Sequence, residues 1–406
     1  MRATWRWFGP DDPMRIDDVM QTGATSVEAT LSRPVGEGWP DEAIAAMRAR
    51  IARTEAGGPS GLAWDTLGGI PIHDEIKLGG PDRARHVAAF RLTVRRLAAH
   101  GVRRILFTVM PLLDWVRTDL AVPLPSGVEA LGFDVLDFAV FDVHLIGRPG
   151  ALDTYDPALH DRIARRHAEM PEARRQALVA MLARGLPGGP RFYEAAEFHA
   201  LLARYGSLAT ETYRANLIDF LGEVARDCED AGAVLGIHPD DPPIPLCGLP
   251  RIASTLEDFR RIFDGCGSGA VGMIFCAGSL AARHGNDLDA ILDALGARVV
   301  YAHPRTIRRT DALGSFREAE HLDPEAEVDL CHILERLIAE ERRRAGRPAP
   351  WSEIPYRADH SVRMLDDKGR ADFVPGYTPI GLVRSTAELR GMVRALERRM
   401  PALTGA

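Results

Sequence analysis

The stretch VLGIHPDDPPIPLCGLP, residues 234–250, sets a short apolar run directly before His238 and a series of acids and prolines. The apolar residues are typical of a buried β-strand, and the prolines prevent the strand from continuing. The carboxyl ends of barrel strands often deliver polar side chains to a site in this way. The stretch therefore predicts a parallel α/β fold in which other strands supply partners for His238.

Seven further stretches share this pattern of a short run that ends in polar, Gly or Pro residues. They are TWRWF (4–8), SVEATL (26–31), LAWDTL (62–67), RILFTVM (104–110), AVGMIFC (270–276), RVVYAH (298–303) and YRADH (356–360), the last short and polar. Helical patterns separate most of them, and two begin with Ser-x-x-Glu capping boxes at Ser254 and Ser385. Eight strands with helical crossovers predict a (β/α)8 TIM barrel that forms a single domain over residues 1–406.

Two features qualify this architecture. An open, doubly wound sheet is the alternative, but no GxGxxG or GxxxxGK[ST] motif follows any strand. Residues 113–205 do not follow the strand–helix rhythm, so they predict a long insertion after the fourth strand. An insertion at that point would lie over the catalytic face as a lid, or form a dimerisation arm.

The composition excludes several classes of function. The 406 residues are 46% hydrophobic and 26% charged, with a formal net charge of -7, which argues against nucleic-acid or membrane-surface partners. No run of about 18 uncharged apolar residues or secretory signal is present. Five cysteines without a CxxC pair do not form a disulfide framework, so a cytoplasmic location is expected.

Four successive predicted strands end on residues that can bind a metal: His238, Cys276, His303 and Asp359. The carboxyl ends of barrel strands converge on one face, so we expect these side chains to meet. Imidazole, thiolate and carboxylate ligands suit a divalent transition metal rather than Mg²⁺ or Ca²⁺. Mn²⁺ or Fe²⁺ is expected, with Co²⁺ or Zn²⁺ as alternatives. Taken singly, each residue could instead be a buried cysteine, a strand-end histidine or a turn-forming aspartate.

Several strings resemble the mannonate dehydratases of bacterial hexuronate and glucuronate breakdown. They are HPDDPPIPLCGLPRIAST (238–255), CAGS (276–279), YAHPR (301–305), RADHS (357–361), PGYTPIG (375–381), TWRWFGPDDP (4–13), GGIPIHDEIK (68–77) and MPLLDWVRTDL (110–120). The resemblance implies a xylose-isomerase-like barrel, a metal held by the same four residues, and a homodimer or higher homo-oligomer. It also implies that His360 and Tyr377 form an acid–base pair and that D-mannonate loses water to give 2-keto-3-deoxy-D-gluconate.

Other polar residues in these strings are candidates for binding the sugar acid. They are His73, Lys77, Asp114, Arg117 and Arg283. Lys77 or Arg117 could neutralise the substrate carboxylate, and structural ion pairs at the barrel rim are the alternative for these charged residues.

The chain also departs from the family pattern. Gly68 and Gly69 stand where the family tends to place a Val or Glu followed by Ser, Thr108 replaces an Asn, Pro304 replaces a Leu, and Ser361 replaces a Gly. An active-site carboxylate is therefore expected to be missing near Gly68, which leaves the identity of the aldonate open. The alternatives are a dehydratase for a different aldonate, a metal-dependent sugar or sugar-acid isomerase or epimerase, and a non-catalytic binding protein.

Overall fold

The computed structural model describes residues 1–183, 195–206 and 208–400. Its strands are β1 (Thr4–Trp7), β2 (Ser26–Ala29), β3 (Ala63–Gly68), β4 (Arg104–Phe107), β5 (Asp119–Pro123), β6 (Glu129–Phe133), β7 (Val234–Ile237), β8 (Val271–Cys276), β9 (Val299–His303), β10 (Ile307–Arg309) and β11 (Phe316–Glu318). Seven of them form a parallel sheet in the order β1-β2-β3-β4-β7-β8-β9, which confirms seven of the eight predicted strands.

The two edges of this sheet are joined by the segment around Tyr356. Tyr356 makes parallel bridges to Ala3, next to β1, and to Ala302 of β9. The Thr4 amide donates to the Tyr356 carbonyl at 2.7 Å, and the Arg357 amide donates to the Ala302 carbonyl at 3.2 Å. The sheet therefore curls into an α/β barrel-like fold. The predicted strand at 356–360 is reduced to this short bridging segment.

The strands alternate between an inner and an outer face. Inner residues of β4, β7, β8 and β9 form their own apolar cluster: Leu106, Val234, Ile274, Val300 and Tyr301. Gly236 of β7 leaves room for this cluster, because a Cβ there would lie 2.6 Å from Leu106 Cδ2 and 2.8 Å from Val300 Cγ2. The intervening outer residues, such as Leu235 and Phe275, belong to the large core that packs against the helices. This period of two directs the residues at the carboxyl ends of β7 and β8 into the barrel. In β9 a register irregularity against β8 lets the consecutive residues Val300 and Tyr301 both join the inner cluster, and His303 follows at the cavity.

The helices begin and end at the following residues in the described chain: α1 (Ile16–Gln21), α2 (Asp41–Ile51), α3 (Asp74–Leu78), α4 (Arg83–Ala99), α5 (Val135–Val140), α6 (His160–Glu169), α7 (Glu172–Ala183), α8 (Ala195–Gly206), α9 (Thr210–Ala231), α10 (Leu256–Cys266), α11 (Ala277–Ala281), α12 (Leu288–Leu295), α13 (Leu330–Arg343) and α14 (Pro379–Arg399). Both predicted capping boxes need correction. The box of α10 lies one residue later, at Thr255 and Asp258, and Ser385 lies inside α14. None of the helices within the described residues is both long and apolar enough to span a bilayer.

The predicted insertion, residues 113–205, contains the β5–β6 hairpin and helices α5 to α8, with residues 184–194 outside the described residues. The hairpin does not stand alone. It joins β10 and β11, which follow β9, in an antiparallel sheet of order β10-β11-β6-β5. Phe316 of β11 pairs with Phe133 of β6. Two segments far apart in sequence thus build one layer beside the barrel rim.

Candidate functional site

A cavity of about 250 Å³ opens at the carboxyl ends of the barrel strands. Its lining includes inner-face residues of several strands or of the positions directly after them: Arg6, Glu28, Gly68, Thr108, His238 and His303. Residues from the segment after Tyr356 and from the loop before α14 complete this wall: Arg357, Asp359, His360 and Tyr377. Strand alternation therefore turns a set of residues scattered along the chain into one polar wall.

The four predicted metal ligands meet at this cavity. One ligand atom from each of His238, Cys276, His303 and Asp359 lies within 4.8 Å of the others. His238 Nε2 lies 3.2 Å from His303 Nδ1, and Cys276 Sγ lies 3.6 Å from Asp359 Oδ2. The predicted convergence of the four side chains is thus confirmed, and the quartet offers two imidazoles, a thiol and a carboxylate.

The surroundings of the quartet fit a cation. Among the described residues, His303 Nε2 is buried without a hydrogen-bond partner, which is costly unless another group binds it. Burial raises the pKa of the Cys276 thiol to about 12, and Arg305 and a hydrogen bond from Ser279 oppose that rise. A bound cation would favour the thiolate at neutral pH, because metal ligation requires the deprotonated sulfur. This donor set suits a divalent transition metal.

Two buried arginines hold the acidic members of the quartet. Arg305 Nε lies 2.8 Å from Asp359 Oδ2 and donates to Cys276 Sγ at 3.3 Å. Arg357 Nη1 lies 2.9 Å from Asp359 Oδ1. Burial alone would raise the pKa of Asp359, but nearby His303, His360 and these arginines outweigh it and hold the pKa well below its usual value. Asp359 is therefore an anion with a fixed orientation.

The predicted acid–base residues lie together beside the quartet. The His360 and Tyr377 rings are 5.5 Å apart at an interplanar angle of 84°. Trp115 also lies against the imidazole of His360, with ring centroids 4.7 Å apart. Burial raises the pKa of Tyr377 to about 12, so its hydroxyl stays protonated near neutral pH.

Glu318 of β11 fixes the orientation of His360. Its Oε1 lies 3.1 Å from His360 Nδ1. The same carboxylate accepts from Arg117 at 2.6 Å and from Arg305 at 2.8 Å. Burial alone would raise the pKa of Glu318, but the two guanidinium groups outweigh burial and lower it, so the carboxylate is ionised. An ionised carboxylate only accepts hydrogen bonds, so His360 Nδ1 carries the hydrogen and Nε2 is left to act on the cavity side.

The predicted substrate-binding residues separate into two groups. Lys77 and Asp114 line the cavity, where Lys77 Nζ donates to the Met110 carbonyl at 2.7 Å and Asp114 accepts from Thr108 Oγ1. The other three, His73, Arg117 and Arg283, are not among the lining residues within the described part of the chain.

Each of these three residues makes a structural contact. His73 accepts from the Glu75 amide at the start of α3, at 3.1 Å. Arg283 donates to the Pro243 carbonyl at 2.9 Å. Arg117 is fully buried and forms a bidentate salt bridge with Asp241, at 2.6 and 3.0 Å, in addition to its bond with Glu318. The contacts of Arg117 are therefore those of a structural ion pair, the alternative to binding the substrate carboxylate.

Four residues of the site escaped sequence reasoning: Arg305, Glu318, Arg357 and Glu28. Arg305 and Arg357 each lie two residues from a predicted ligand, which is a usable signal. Glu318 and Glu28 lack such a signal. The expectation of a missing carboxylate near Gly68 is also corrected, because the Glu28 side chain occupies that space: a Cβ at Gly68 would lie 2.1 Å from Glu28 Oε1.

Comparisons with known proteins agree along the whole chain. A family model described as D-mannonate dehydratase (UxuA) matches residues 1–402. The chain is 42% identical over 399 residues to a mannonate dehydratase of Chromohalobacter salexigens, covering 98% of this chain and 99% of the relative. It is 38% identical over 409 residues to a mannonate dehydratase of Rhizobium meliloti, covering 100% of both. The crystal structure of mannonate dehydratase from Streptococcus suis serotype 2 matches with a TM-score of 0.74 at 25% identity, covering 98% of this chain and 95% of that one.

Proposed function

The chain belongs to the D-mannonate dehydratase family, and from that premise we propose that it is a hydro-lyase that converts D-mannonate to 2-keto-3-deoxy-D-gluconate and water. The observation that carries the proposal is the joint position of the ligand quartet and the His360–Tyr377 pair at one cavity. Loss of water from a sugar acid needs a group that accepts the C2 proton and a group that protonates the departing C3 hydroxyl.

The metal in this proposal is held by His238, Cys276, His303 and Asp359. Mn²⁺ or Fe²⁺ fits the donor set, with Co²⁺ or Zn²⁺ as alternatives, because mixed nitrogen, sulfur and oxygen ligands accept several divalent transition ions. When bound, such a cation supplies Lewis-acid stabilisation of the negative charge that develops next to the substrate carboxylate. The buried, partnerless His303 Nε2 supports this assignment within the described residues.

His360 is the proton acceptor in this proposal. Its Nδ1 hydrogen is committed to Glu318, and its Nε2 lies 3.9 Å from Asp359 Oδ1, on the side of the ligand quartet. The unprotonated Nε2 can take the proton from C2 of the substrate. The anionic Glu318 then stabilises the imidazolium that forms, as the orienting carboxylate of a catalytic triad does.

Tyr377 is the proton donor. Its pKa of about 12 keeps the phenol protonated. As the C2–H electrons form the C2=C3 bond, the C3–O bond breaks, and the Tyr377 proton completes the departing water. The enol that remains becomes the 2-keto acid when C3 gains a proton and the C2 hydroxyl loses one. Lys77 and Asp114, which line the cavity, bind the carboxylate and a hydroxyl of the sugar acid.

We propose a closed (β/α)8 barrel in which the Tyr356 segment is the eighth strand, supported by its bridges to both sheet edges. Residues 1–406 then form one domain, with residues 113–205 as a lid or dimerisation arm. The lid is supported by the pairing of β6, which belongs to this segment, with β11, because that pairing holds the segment beside the barrel rim. Homodimer or higher assembly and a cytoplasmic location complete the proposal, and sedimentation of the purified chain tests the assembly.

The test uses the purified, metal-depleted chain after separate addition of Mn²⁺, Fe²⁺, Co²⁺ or Zn²⁺, with D-mannonate and other C5 and C6 aldonates as substrates. We expect a 2-keto-3-deoxy acid that is one water lighter than D-mannonate, and its formation should stop with a chelator. The His360→Asn and Tyr377→Phe variants should bind the metal and lose turnover. A product of unchanged mass would instead establish isomerisation or epimerisation and overturn the proposal.

A further inference from the structure

We propose that Glu28 is a specificity-determining residue that accepts a hydrogen bond from a hydroxyl of the sugar-acid chain, and that Gly68 provides the space for its carboxylate. This inference rests on the proposed function, because it concerns how the same cavity distinguishes one polyhydroxy acid from another. It adds Glu28 to Lys77 and Asp114 as a third substrate-binding side chain of the cavity.

Strand alternation places Glu28 on the inner face of β2. Its neighbours in sequence, Val27 and Ala29, belong to the outer core, so the Glu28 side chain points into the barrel. It pairs with Arg6 on β1 and with Thr66 on β3. Glu28 is only 3% exposed, yet it lines the cavity at the strand ends. A buried carboxylate in that position is costly unless charged or polar groups surround it.

Gly68 is a glycine because Glu28 fills the volume beside it. A Cβ at Gly68 would lie 2.1 Å from Glu28 Oε1, 2.5 Å from Glu28 Cγ and 2.2 Å from Arg6 Nη1. The next residue, Gly69, is different: a Cβ there would meet no atom within 4 Å, so the space beside it is open. A side chain at position 68 and the Glu28 carboxylate therefore compete for one place at the cavity wall.

The two oxygens of Glu28 are used unequally. Oε2 accepts from Arg357 Nε at 2.5 Å, which joins Glu28 through Arg357 to the ligand Asp359. Oε1 has a long contact of 3.4 Å with Arg6 Nη1, whose shorter bond, 2.5 Å, goes to the Gly68 carbonyl. Oε1 thus keeps acceptor capacity on the cavity side, since each carboxylate oxygen can accept two hydrogen bonds.

The chemistry of this wall matches a polyhydroxy chain. A carboxylate only accepts, so it selects for hydroxyl donors and is left unpaired when the hydroxyl is removed from the ligand. The ligand quartet and His360 engage the reacting end of the acid, at C1 to C3. Glu28 and Asp359 bind two different nitrogens of the Arg357 guanidinium, Nε at 2.5 Å and Nη1 at 2.9 Å, so the width of that group separates the two carboxylates. This displacement from the quartet assigns Glu28 to a hydroxyl further along the chain, at C4, C5 or C6.

The principal test compares wild type and Glu28→Gln on D-mannonate and on three analogues that each lack the hydroxyl at C4, C5 or C6. We expect Glu28→Gln to lower kcat/KM for D-mannonate roughly 10- to 100-fold, as for a lost hydrogen bond to a charged group. For one analogue the wild type should already show a comparable loss, and Glu28→Gln should add little to it. Gln keeps an acceptor for Arg357, so metal content by elemental analysis should equal that of the wild type.

A second test moves the carboxylate between strands. Gly68→Glu alone should lose activity, because two side chains then compete for one space. Combining Gly68→Glu with Glu28→Ala should recover kcat/KM relative to each single variant. Glu340→Gln is the matched control: Glu340 is another buried glutamate, bonded to Arg344 Nε at 2.9 Å on α13, and its replacement should leave the preference among the four substrates unchanged.

The outcomes separate this inference from the proposed function. If wild type forms no keto acid from D-mannonate, the proposed function fails. If wild type is active and Glu28→Gln lowers kcat/KM by one common factor for D-mannonate and all three analogues, Glu28 only positions Arg357 and the inference is overturned. The inference would also be overturned if the correctly folded Glu28→Gln variant lost its metal while its preference among the four substrates stayed unchanged.

Discussion

Replacing Glu318 by Gln should separate the orientation of the His360 imidazole, the proposed base, from the stability of the buried charge network. Glu318 and Asp241 are both fully buried, and both accept from Arg117 and Arg305. Only Glu318 also contacts His360 Nδ1, at 3.1 Å. Asp241→Asn is therefore a matched control, because it removes an equivalent carboxylate from the same two arginines without touching the imidazole.

The magnitudes follow from these contacts. Each variant leaves one buried positive charge uncompensated, so each should lower the free energy of unfolding by about 3–5 kcal/mol. In Glu318→Gln the new side-chain amide can also donate to His360 Nδ1, which would move the hydrogen to Nε2 and remove the base. General-base catalysis typically contributes about 10²- to 10⁴-fold, and we expect kcat of Glu318→Gln to fall within that range. Asp241→Asn should fall considerably less.

The assay is steady-state dehydration of D-mannonate by metal-loaded enzyme, with and without deuterium at C2. Glu318→Gln should lower kcat with a small change in KM and should increase the isotope effect, because proton removal becomes slower. Glu318→Asp keeps the charge but withdraws it from His360, so it should retain more stability than Gln while kcat still falls. Equal losses of kcat in Glu318→Gln and Asp241→Asn, with equal isotope effects, would refute the reasoning.

Three further changes test other parts of the structure. Cys276→Ser replaces the thiolate by a hydroxyl that stays protonated, so the purified variant should retain less than one metal per chain after dialysis, measured by elemental analysis. Burial lowers the pKa of His321 from 6.5 to about 4. The unfolded chain therefore binds this proton first, and folding stability should decline by up to about 3 kcal/mol as the pH falls from 6.5 to 4. The free energy of unfolding of His321→Phe, measured by denaturant titration, should decline less over this pH range. A decline equal to that of the wild type would show that His321 is not its cause. Gly236→Ala should cost about 1–3 kcal/mol of unfolding free energy, because its Cβ would lie within 2.8 Å of Leu106 and Val300.

The strands could be predicted because burial on both faces leaves a clear apolar run in the sequence. The same runs located His238, Cys276 and His303, since each run ends where its strand ends and the carboxyl ends of the strands meet on one face. The segment at Tyr356 is different. It closes the ring through backbone bridges at a single residue, and such pairing needs no apolar run. Its sequence signal is accordingly weak.

Helix ends could be located less well than strands. Ser-x-x-Glu is the spacing of a capping box, but residues three apart are also neighbours on the surface of any helix. Ser385 and Glu388 lie inside α14 with this spacing, so the local pattern does not distinguish a helix start from a helix interior. At α10 the string STLED fits the box in two registers, and the structure uses Thr255 with Asp258.

The two halves of the candidate site differ in predictability because they have different structural origins. Three members of the quartet, His238, Cys276 and His303, lie at the ends of regular barrel strands, which impose a pattern on the sequence. The orientation of His360 comes from Glu318, on a strand of three residues in the antiparallel sheet beside the rim. That strand is held in place by β6, which lies far earlier in the chain. No local pattern encodes such a pairing. Residues 113–205 therefore have a chemical consequence: their strand β6 helps to position the carboxylate that decides which nitrogen of His360 carries the hydrogen.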